Sequence, residues 1–250
     1  MAKCRIAAGT VYMKDLAKPN QPYLSIGNAQ ASLGITEEVQ ELPDYESVSG
    51  GNACAVRDID SVELTLTMYD YDKKNLALAV FGEAIDAAGG NVAAEPVQVF
   101  AAGKTPLEHM PTNQGILTVG GTPYVPGTDY NIDAGGITVI PGSALETAIL
   151  ADANVPPFLA GTVAYTYAGE DVVEALVTSG KTFALMIHCK NKAADGKAEV
   201  WRLYIVQFGP TAALPIISRE FGQFEVKGEL LSDDSQGAGE SRFFKIQQAV

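Results

Sequence analysis

The side chains that carry most metal and nucleophile chemistry are few and scattered in this chain. It has two histidines, His109 and His188, and three cysteines, Cys4, Cys54 and Cys189. A zinc site gathers three or four such ligands, and strand neighbours such as His188 and Cys189 point to opposite faces. The odd number and wide spacing of the cysteines indicate reduced thiols made in a cytosol. We therefore expect neither a metal site nor a Cys–His catalytic pair.

One segment resembles the end of a phosphate-binding loop, Ser179-Gly180-Lys181-Thr182. That motif needs a glycine five residues before Gly180, where this chain has Ala175, and it leads into a helix. Here the residues from Phe183 onward alternate like a strand, so the segment is predicted to be a turn that enters a strand. Gly237-Ala238-Gly239 likewise lacks the third glycine of a dinucleotide-binding fingerprint. We expect no cofactor.

Closely spaced carboxylates are common in this chain and include three pairs of aspartates; any two carboxylates could in principle serve a glycosidase. None has the central glycine and terminal glutamate of a calcium loop. Roles in turns and helix caps explain such pairs more simply, so we do not expect an enzyme. The pairs are Asp58 and Asp60, Asp70 and Asp72, and Asp129 and Asp133.

Composition favours a folded, acidic protein. Hydrophobic residues make up 47% of the 250 residues, which is enough for a full core. Lys plus Arg is 17 against 30 Asp plus Glu, a net charge of -13, so non-specific binding of nucleic acid is not expected. The first residues lack the apolar core of a signal peptide, and no apolar run of about 18 residues occurs. We expect synthesis in the cytoplasm and no membrane anchoring.

Strand patterns dominate the chain. Residues 61–69 and 224–231 alternate apolar and polar side chains, and residues 181–190 and 199–208 read as a hairpin. In the last of these, Trp201, Leu203 and Ile205 are predicted on one face, with Arg202, Tyr204 and Val206 on the other. A strand-like tail at 242–246 is predicted to pair within the domain or with a neighbour.

One short helix is predicted at about 72–82, with Asp72 as N-cap and Gly82 just past its C-terminus. Residues 89–160 are rich in Gly and Pro, with brief strands and a turn at 133–136; a helix or a loop is equally compatible with residues 143–152. We predict a mainly β, antiparallel sandwich or barrel with one flanking helix. It forms a single domain whose core is about 20–88 and 161–250, with 89–160 as an insertion.

The segment Glu37-Glu38-Val39-Gln40-Glu41-Leu42-Pro43-Asp44-Tyr45-Glu46, followed by residues 47–51, shows neither a helical nor a strand period. It is acidic and ends in Gly50 and Gly51. We predict a long loop, and compact domains rarely contain such a loop unless it contacts something else.

An ordered set of short motifs resembles the major tail tube protein of long, non-contractile-tailed bacteriophages. The resemblance covers nearly the whole chain and is weakest over residues 90–160. The motifs are Leu24-Ser25-Ile26-Gly27-Asn28, Leu33-Gly34-Ile35-Thr36-Glu37-Glu38, Leu42-Pro43-Asp44-Tyr45, Gly50-Gly51, Arg57, residues 59–66, the helix at 75–82, residues 200–208, Pro210, Leu214-Pro215-Ile216-Ile217 and Glu220-Phe221-Gly222-Gln223-Phe224-Glu225.

The resemblance implies a virion protein of the tail, made in the bacterial host cytoplasm, whose six-membered rings stack into a tube. DNA would pass through the lumen without specific binding, and the tape-measure, tail-tip and terminator proteins would be further partners. It also implies that the segment between the early strands reaches the adjacent ring. The inter-ring residues are then Glu37, Glu38, Glu41, Leu42, Pro43, Asp44, Tyr45, Glu46, Gly50, Gly51 and Arg57.

An acidic lumen would repel DNA phosphates over about 8 Å at physiological salt, so the genome would not adhere to the wall. Polar strand faces supply the lumen candidates Glu63, Thr65, Glu225, Lys227 and Glu229. Two alternatives remain open: another ring component of the tail, such as a terminator or tail-tip protein, and a β-sandwich binding or adhesin module.

Overall fold

The computed structural model describes residues 4–46, 50–194 and 196–249. Strands hold 52% of the chain and helices 7%, and the paired strands are antiparallel, which confirms the predicted mainly β fold. The strands are β1 (Ala7–Asp15), β2 (Leu24–Ser25), β3 (Ala29–Pro43), β4 (Asn52–Met68), β5 (Glu83–Ala87), β6 (Gly90–Phe100), β7 (Ile116–Val119), β8 (Thr122–Pro123), β9 (Tyr130–Asp133), β10 (Gly136–Val139), β11 (Phe158–Tyr167), β12 (Glu170–Glu174), β13 (Thr182–Asn191), β14 (Lys197–Phe208), β15 (Phe224–Leu230) and β16 (Phe244–Gln248). The helices are α1 (Lys73–Ala79), α2 (Ala144–Leu150) and a 3-10 turn at Lys192–Ala194.

The chain divides into two compact units. Unit 1 comprises residues 1–84 and 173–250, and unit 2 is the continuous stretch Ile85–Val172. Strands β5 and β12 pair with each other and contain both boundaries. The predicted insertion at 89–160 lies inside unit 2, but β11, which we had assigned to the core of the domain, also belongs to unit 2.

Unit 1 is built on an eight-stranded sheet with the order β2-β1-β13-β14-β15-β4-β3, and β16 also pairs with β14. The two edge strands, β2 and β3, are consecutive in sequence and are joined by residues 26–28 alone. Four Cα–Cα steps of about 3.8 Å cover at most about 15 Å, so the two edges must lie close together. The backbone N–H of Ile26 donates to Val11 at 3.1 Å, and Tyr69 donates to the carbonyl of Asn28 at 3.1 Å. The sheet is therefore rolled around its core.

Alternation along the strands places one face in that core. In β15 the burial alternates at every residue, from Phe224 to Leu230, as the sequence predicted. Partner strand β4 contributes Leu64, Leu66 and Met68 from the same face. The largest fully buried side chains of unit 1 are Phe224, Leu64, Leu66, Met68, Leu185 and Leu203.

A β-bulge changes the faces of β14. Between the pairs Phe183 with Val206 and Leu185 with Leu203, β14 has one residue more than β13. An extra residue reverses the alternation beyond it, so Val206 is fully buried on the same face as Leu203. The prediction that Val206 lies on the opposite face from Leu203 was wrong. The predicted tail strand forms as β16 and pairs with β14 inside the unit.

Helix α1 begins as predicted and ends differently. The carboxylate of Asp72 accepts the backbone N–H of Asn75 at 2.8 Å, which caps the helix. At the other end Phe81 has φ 51°, and the N–H of Gly82 bonds to the carbonyl of Ala77 at 2.7 Å. This is the Schellman pattern, in which the left-handed position is normally glycine. Here a phenylalanine, not the predicted Gly82, occupies that position.

Unit 2 has a four-stranded sheet, β6-β11-β7-β8, and the hairpin of β9 and β10. The predicted turn at 133–136 connects the two strands of that hairpin. Of the two possibilities for residues 143–152, a helix or a loop, the structure has a helix, α2, with Ser143 as its N-cap. Tyr130 is fully buried in this core, where its hydroxyl accepts from the N–H of Leu117 and donates to the carbonyl of Gly115. Burial raises the pKa of Tyr130 above its ordinary value.

Candidate assembly surfaces

The acidic segment predicted as a loop is mostly a β-hairpin, so that prediction was wrong. Residues 35–43 of β3 and 52–60 of β4 pair with each other beyond the rolled sheet; we call these two stretches, with the described residues of the connection between them, the arm. Glu37, Glu38, Glu41, Leu42 and Pro43 lie in β3, and Arg57 lies in β4. The connection carries Asp44, Tyr45, Glu46, Gly50 and Gly51, and its residues 47–49 lie outside the described residues.

The sequence of the arm does not alternate between apolar and polar residues, because neither face of the hairpin packs against the core. No described residue between Thr36 and Asp60 is buried. A bulge between Thr36 and Glu37 lies at the base of the arm, close to where it leaves the rolled sheet. Large apolar side chains nevertheless occur on both of its strands and are exposed: Ile35, Val39, Leu42, Val56 and Ile59. An isolated two-stranded hairpin with open faces is marginal, and exposed apolar residues in contiguous patches indicate contact surfaces.

The arm is also strongly acidic. Its described strands and connection contain seven carboxylates, whereas Arg57 is the only basic residue among them. Arg57 forms an ion pair with Glu37 at 2.8 Å, with both side chains more than half exposed, so the pair contributes little to stability. The tip is closed by the bond from the N–H of Asp44 to the carbonyl of Gly51 at 2.8 Å.

The five lumen candidates share one face of the rolled sheet. Register places Lys227 opposite Thr65 and Glu229 opposite Glu63. Glu225 lies two residues from Lys227, and their charged groups are 3.9 Å apart. All five point away from the core; Thr65 is half-buried and the other four are exposed. Whether they line a lumen stays a prediction.

Sequence reasoning missed a second exposed apolar surface. Residues 209–223, between β14 and β15, present Ile216, Ile217 and Phe221 with exposed fractions of 91%, 95% and 101%. The apolar run Leu214-Pro215-Ile216-Ile217 inside a segment without strand alternation was the available signal. Next to it, Tyr71 contacts the position of Gly222 and packs edge-on against Phe224, with ring centroids 5.2 Å apart.

This surface and the arm lie at opposite ends of unit 1. Each strand of the rolled sheet is antiparallel to its neighbours. The ends of β1, β4 and β14 and the beginnings of β3, β13 and β15 therefore meet at one end, which we call the loop end. Its connections are residues 16–23, 69–72, 178–181 and 209–223. The arm leaves the sheet at the other end, where β3 finishes and β4 begins.

The loop end becomes weakly basic when the residues that flank its connections are included, namely the end of β1 and the first turn of α1. Over residues 14–24, 69–75, 178–182 and 209–223 there are six basic and four acidic side chains. Three of the four carboxylates, those of Asp15, Asp70 and Asp72, accept backbone N–H groups at 2.8 to 2.9 Å. The basic residues are Lys14, Lys18, Lys73, Lys74, Lys181 and Arg219.

Unit 2 holds a cluster of titratable groups. The His109 ring stacks on Tyr167 with centroids 3.8 Å apart, and its Nδ1 lies 3.3 Å from Glu170. A backbone N–H from Met110 holds the pKa of Glu170 below its ordinary value, with a smaller contribution from His109. Burial raises the pKa of Tyr165 to about 12, assisted by the carboxylate of Glu95 that its hydroxyl donates to at 2.5 Å.

These contacts hold a connection in place. The side chains of this cluster accept hydrogen bonds from the backbone of residues 108–110. The carboxylate of Glu95 accepts from the N–H of Glu108, and the hydroxyl of Tyr165 accepts from the N–H of His109. The contacts described for His109 are to Tyr165, Tyr167 and Glu170, with no Ser, Thr or Cys side chain among them. The nearby hollow of about 440 Å³, lined in part by Asn113, Gln114 and Tyr165, is wide open to solvent. The cluster therefore serves to fix one connection onto β11 and β12.

A second cluster lies inside unit 1, around the buried carboxylate of Glu199. Arg5 reaches it at 3.0 Å, and Gln248 of β16 donates to it at 3.3 Å. The Arg5 guanidinium also lies 5.1 Å from the ring of Trp201, which stacks on Phe244. Trp201 thus packs inside the fold and is no exposed binding platform. Glu199 ties residues before β1 and within β16 to the middle of the sheet.

The other residues considered for chemistry are dispersed. Cys4 and Cys54 are exposed, Cys189 is buried, and all three are free thiols. His188 is exposed while Cys189 faces inward, which confirms that they point to opposite faces. Within the described residues, no three His, Cys, Asp or Glu side chains are grouped to hold a metal. Thr182 opens strand β13, so the segment resembling a phosphate-binding loop leads into a strand and not a helix, as predicted; its residues 179–181 form an irregular connection.

The chain belongs to the family described as "Protein of unknown function UCP028589", whose model matches residues 5–247. No curated protein matches the chain. Neither α1 nor α2, each seven residues long, approaches the length needed to cross a bilayer, and the part of the chain that the structure describes holds no other α-helix.

Proposed function

We propose that this protein is the tube-forming subunit of a phage tail, which polymerises as stacked rings into a conduit for genome DNA. The observation that carries the proposal is the arm. Strands β3 and β4 are 15 and 17 residues long, and no other part of the described chain packs on their distal halves. Such an exposed, ordered element is typical of a surface that contacts another molecule.

The arm offers two kinds of contact to a neighbouring copy. Its exposed apolar side chains can be buried, at roughly 25 cal/mol for each Å² of apolar surface removed from water. Within the described residues its outer edges pair with no other strand, because β3 ends the sheet and β15 pairs with β4 only as far as Glu63. Unpaired edges of this kind invite strand addition or burial against a neighbour.

The polar outer face and the net charge fit a conduit. A wall carrying Glu63, Glu225 and Glu229 would be acidic, with Lys227 as the exception, and would repel phosphates rather than bind them. The proposal includes location in the virion tail, and contacts with tape-measure, tail-tip and terminator proteins at the interior and the ends of the tube.

Negative-stain electron microscopy of the purified protein at rising concentration tests the proposal. We expect rings and hollow tubes from the wild type, with or without added tail-tip complex. A variant in which residues 38–58 are replaced by Asn-Gly removes the exposed part of the arm and none of the core. It is expected to keep the wild-type melting temperature and to lose tubes.

Two results would count against the proposal. Tubes from the shortened variant would show that the arm is not the assembling element. A wild type that stays monomeric even with tail-tip complex, while its arm binds some other ligand, would favour the binding-module alternative.

A further inference from the structure

We infer that the arm of one copy docks on the loop end of a second copy, so that copies associate head to tail. The inference rests on the proposed function and adds to it the receiving surface, the apolar segment 209–223 with the lysines beside it. It makes the loop end the second half of the stacking contact.

The first argument is placement. A contact between two different surfaces of the same chain is heterologous, and it propagates when the surfaces lie at opposite ends of the molecule. The arm and the loop end satisfy this within unit 1, because β3 and β4 begin or end at the loop end and carry the arm at their opposite ends. If the arm instead bound a surface beside its own base, the association would close or stop at a dimer.

The second argument is apolar surface on both sides. The arm exposes Leu42 and Val56 on the face that also carries Cys54, because Leu42 pairs with Cys54 and Gln40 with Val56. The loop end exposes Ile216, Ile217 and Phe221 almost completely. Side chains of this size at such exposure are depleted on free surfaces and enriched in interface cores.

The third argument is charge. Docking would bring the seven carboxylates of the arm and its connection to six basic and four acidic groups at and beside the loop end, and three of those four acidic groups are engaged with backbone N–H donors. Complementary charge steers and orients association, and like charges brought together cost several kcal/mol. The same reasoning disfavours two arms pairing side by side, because Glu37, Glu38 and Glu41 of one copy would meet those of the other.

Charge reversal tests the contact in the full-length chain. The arm variant is Glu38→Lys with Glu41→Lys, the loop-end variant is Lys18→Glu with Lys181→Glu, and the combined variant has the wild-type net charge. Sedimentation velocity is expected to show association weakened at least about tenfold in each double variant and recovered in the combined one. Glu225→Lys with Glu229→Lys changes net charge equally on the sheet face and serves as the control.

Cross-linking locates the contact even where association is weak. Cys54 lies on the arm and is exposed, so a Ser218→Cys variant in a Cys4→Ser background can be treated with a short bis-maleimide. We expect intermolecular peptides that join position 54 to position 218. Links only between two Cys54 residues, or none, would overturn the inference, as would a combined charge variant that stays dissociated.

The outcomes separate this inference from the proposed function. If tubes form without the 54–218 link and the charge-reversal variants assemble like the wild type, the tube function is supported and the proposed docking site is refuted. Linear chains of copies that carry the 54–218 link, without rings or tubes, would support the docking site and contradict the tube function. Monomers at every concentration, with tail-tip complex present and without the link, would refute both.

Discussion

The carboxylate of Asp70 accepts a hydrogen bond from the backbone N–H of Asn28 at 2.8 Å, at the point where the rolled sheet closes. Asn28 belongs to the three-residue link between the edge strands β2 and β3. Asn75 of α1, itself fully buried, donates to the carbonyl of Ile26 in the same link and to the carbonyl of Asp70 after β4. Closure of the sheet thus depends on side chains from the segment after β4.

Gly27 is expected to be intolerant of substitution. Its φ of +79° is unfavourable for other residues, and a Cβ would collide with the carboxylate of Asp70. Gly27→Ala should lower the free energy of unfolding by about 2 to 4 kcal/mol, combining backbone strain with the clash. Urea titration measures this. Gly180→Ala, with φ +69° and no close neighbour, is the control and should lose only about 1 kcal/mol. Equal losses would refute the role assigned to Asp70.

Phe81 is expected to hold a strained backbone at the end of α1. Phe81→Gly and Phe81→Ala both remove the ring, but only glycine relieves the positive φ. We expect the glycine variant to be more stable than the alanine variant by about 1 kcal/mol, measured by chemical denaturation. Two variants of equal stability would indicate that α1 ends differently in solution.

The buried carboxylate of Glu199 is expected to need Arg5. Arg5→Met leaves a charge inside the sheet with only Gln248 and the Cys189 thiol near it, and should cost about 2 kcal/mol. Adding Glu199→Gln removes that charge and should recover at least part of the loss. Thermal unfolding of the two single variants and the double variant gives the coupling. Strictly additive losses would show that the pair does not interact.

Acid is expected to loosen unit 2 through Glu170. The folded pKa of this carboxyl is lowered, so its stabilising contribution is complete above its ordinary pKa and disappears as the pH falls through the folded value. Glu170→Gln should therefore reduce stability near neutrality and flatten its decline below about pH 4. Unfolding curves between pH 3 and 7 measure this, with exposed Glu108→Gln as control. A variant that declines in acid as steeply as the wild type would contradict it.

The sequence predicted those elements in which one face is buried. Strand β15 alternates at every position from Phe224 to Leu230, because its inner face packs in the core and its outer face meets solvent. The turn at 133–136 and the Asp72 cap were predictable because their residue types act locally. Local chemistry and one-sided burial leave a pattern in a single sequence.

The arm could not be predicted in this way. Glu38, Gln40 and Leu42 share one of its faces, and Glu37, Val39 and Glu41 the other, so charged and apolar side chains mix on both. A surface reserved for a partner need not alternate. The bulge that buries Val206 and the left-handed Phe81 were missed for another reason: each depends on how distant strands and helix ends meet.

Unit 2 is inserted in the sequence between β4 and β13, and this determines which unit can fold first during synthesis on the ribosome. Strand β1 pairs with β13, so the pairing of Ala7 with Asn191 cannot form until Asn191 has been synthesised. Unit 2 is one uninterrupted stretch with its own core, which emerges complete before β13 is made. We expect it to fold first on the growing chain, while β1 to β4 hold little beyond the local hairpin. Stalled nascent chains ending near residue 215 should protect unit 2 from protease and leave the first 70 residues open to cleavage.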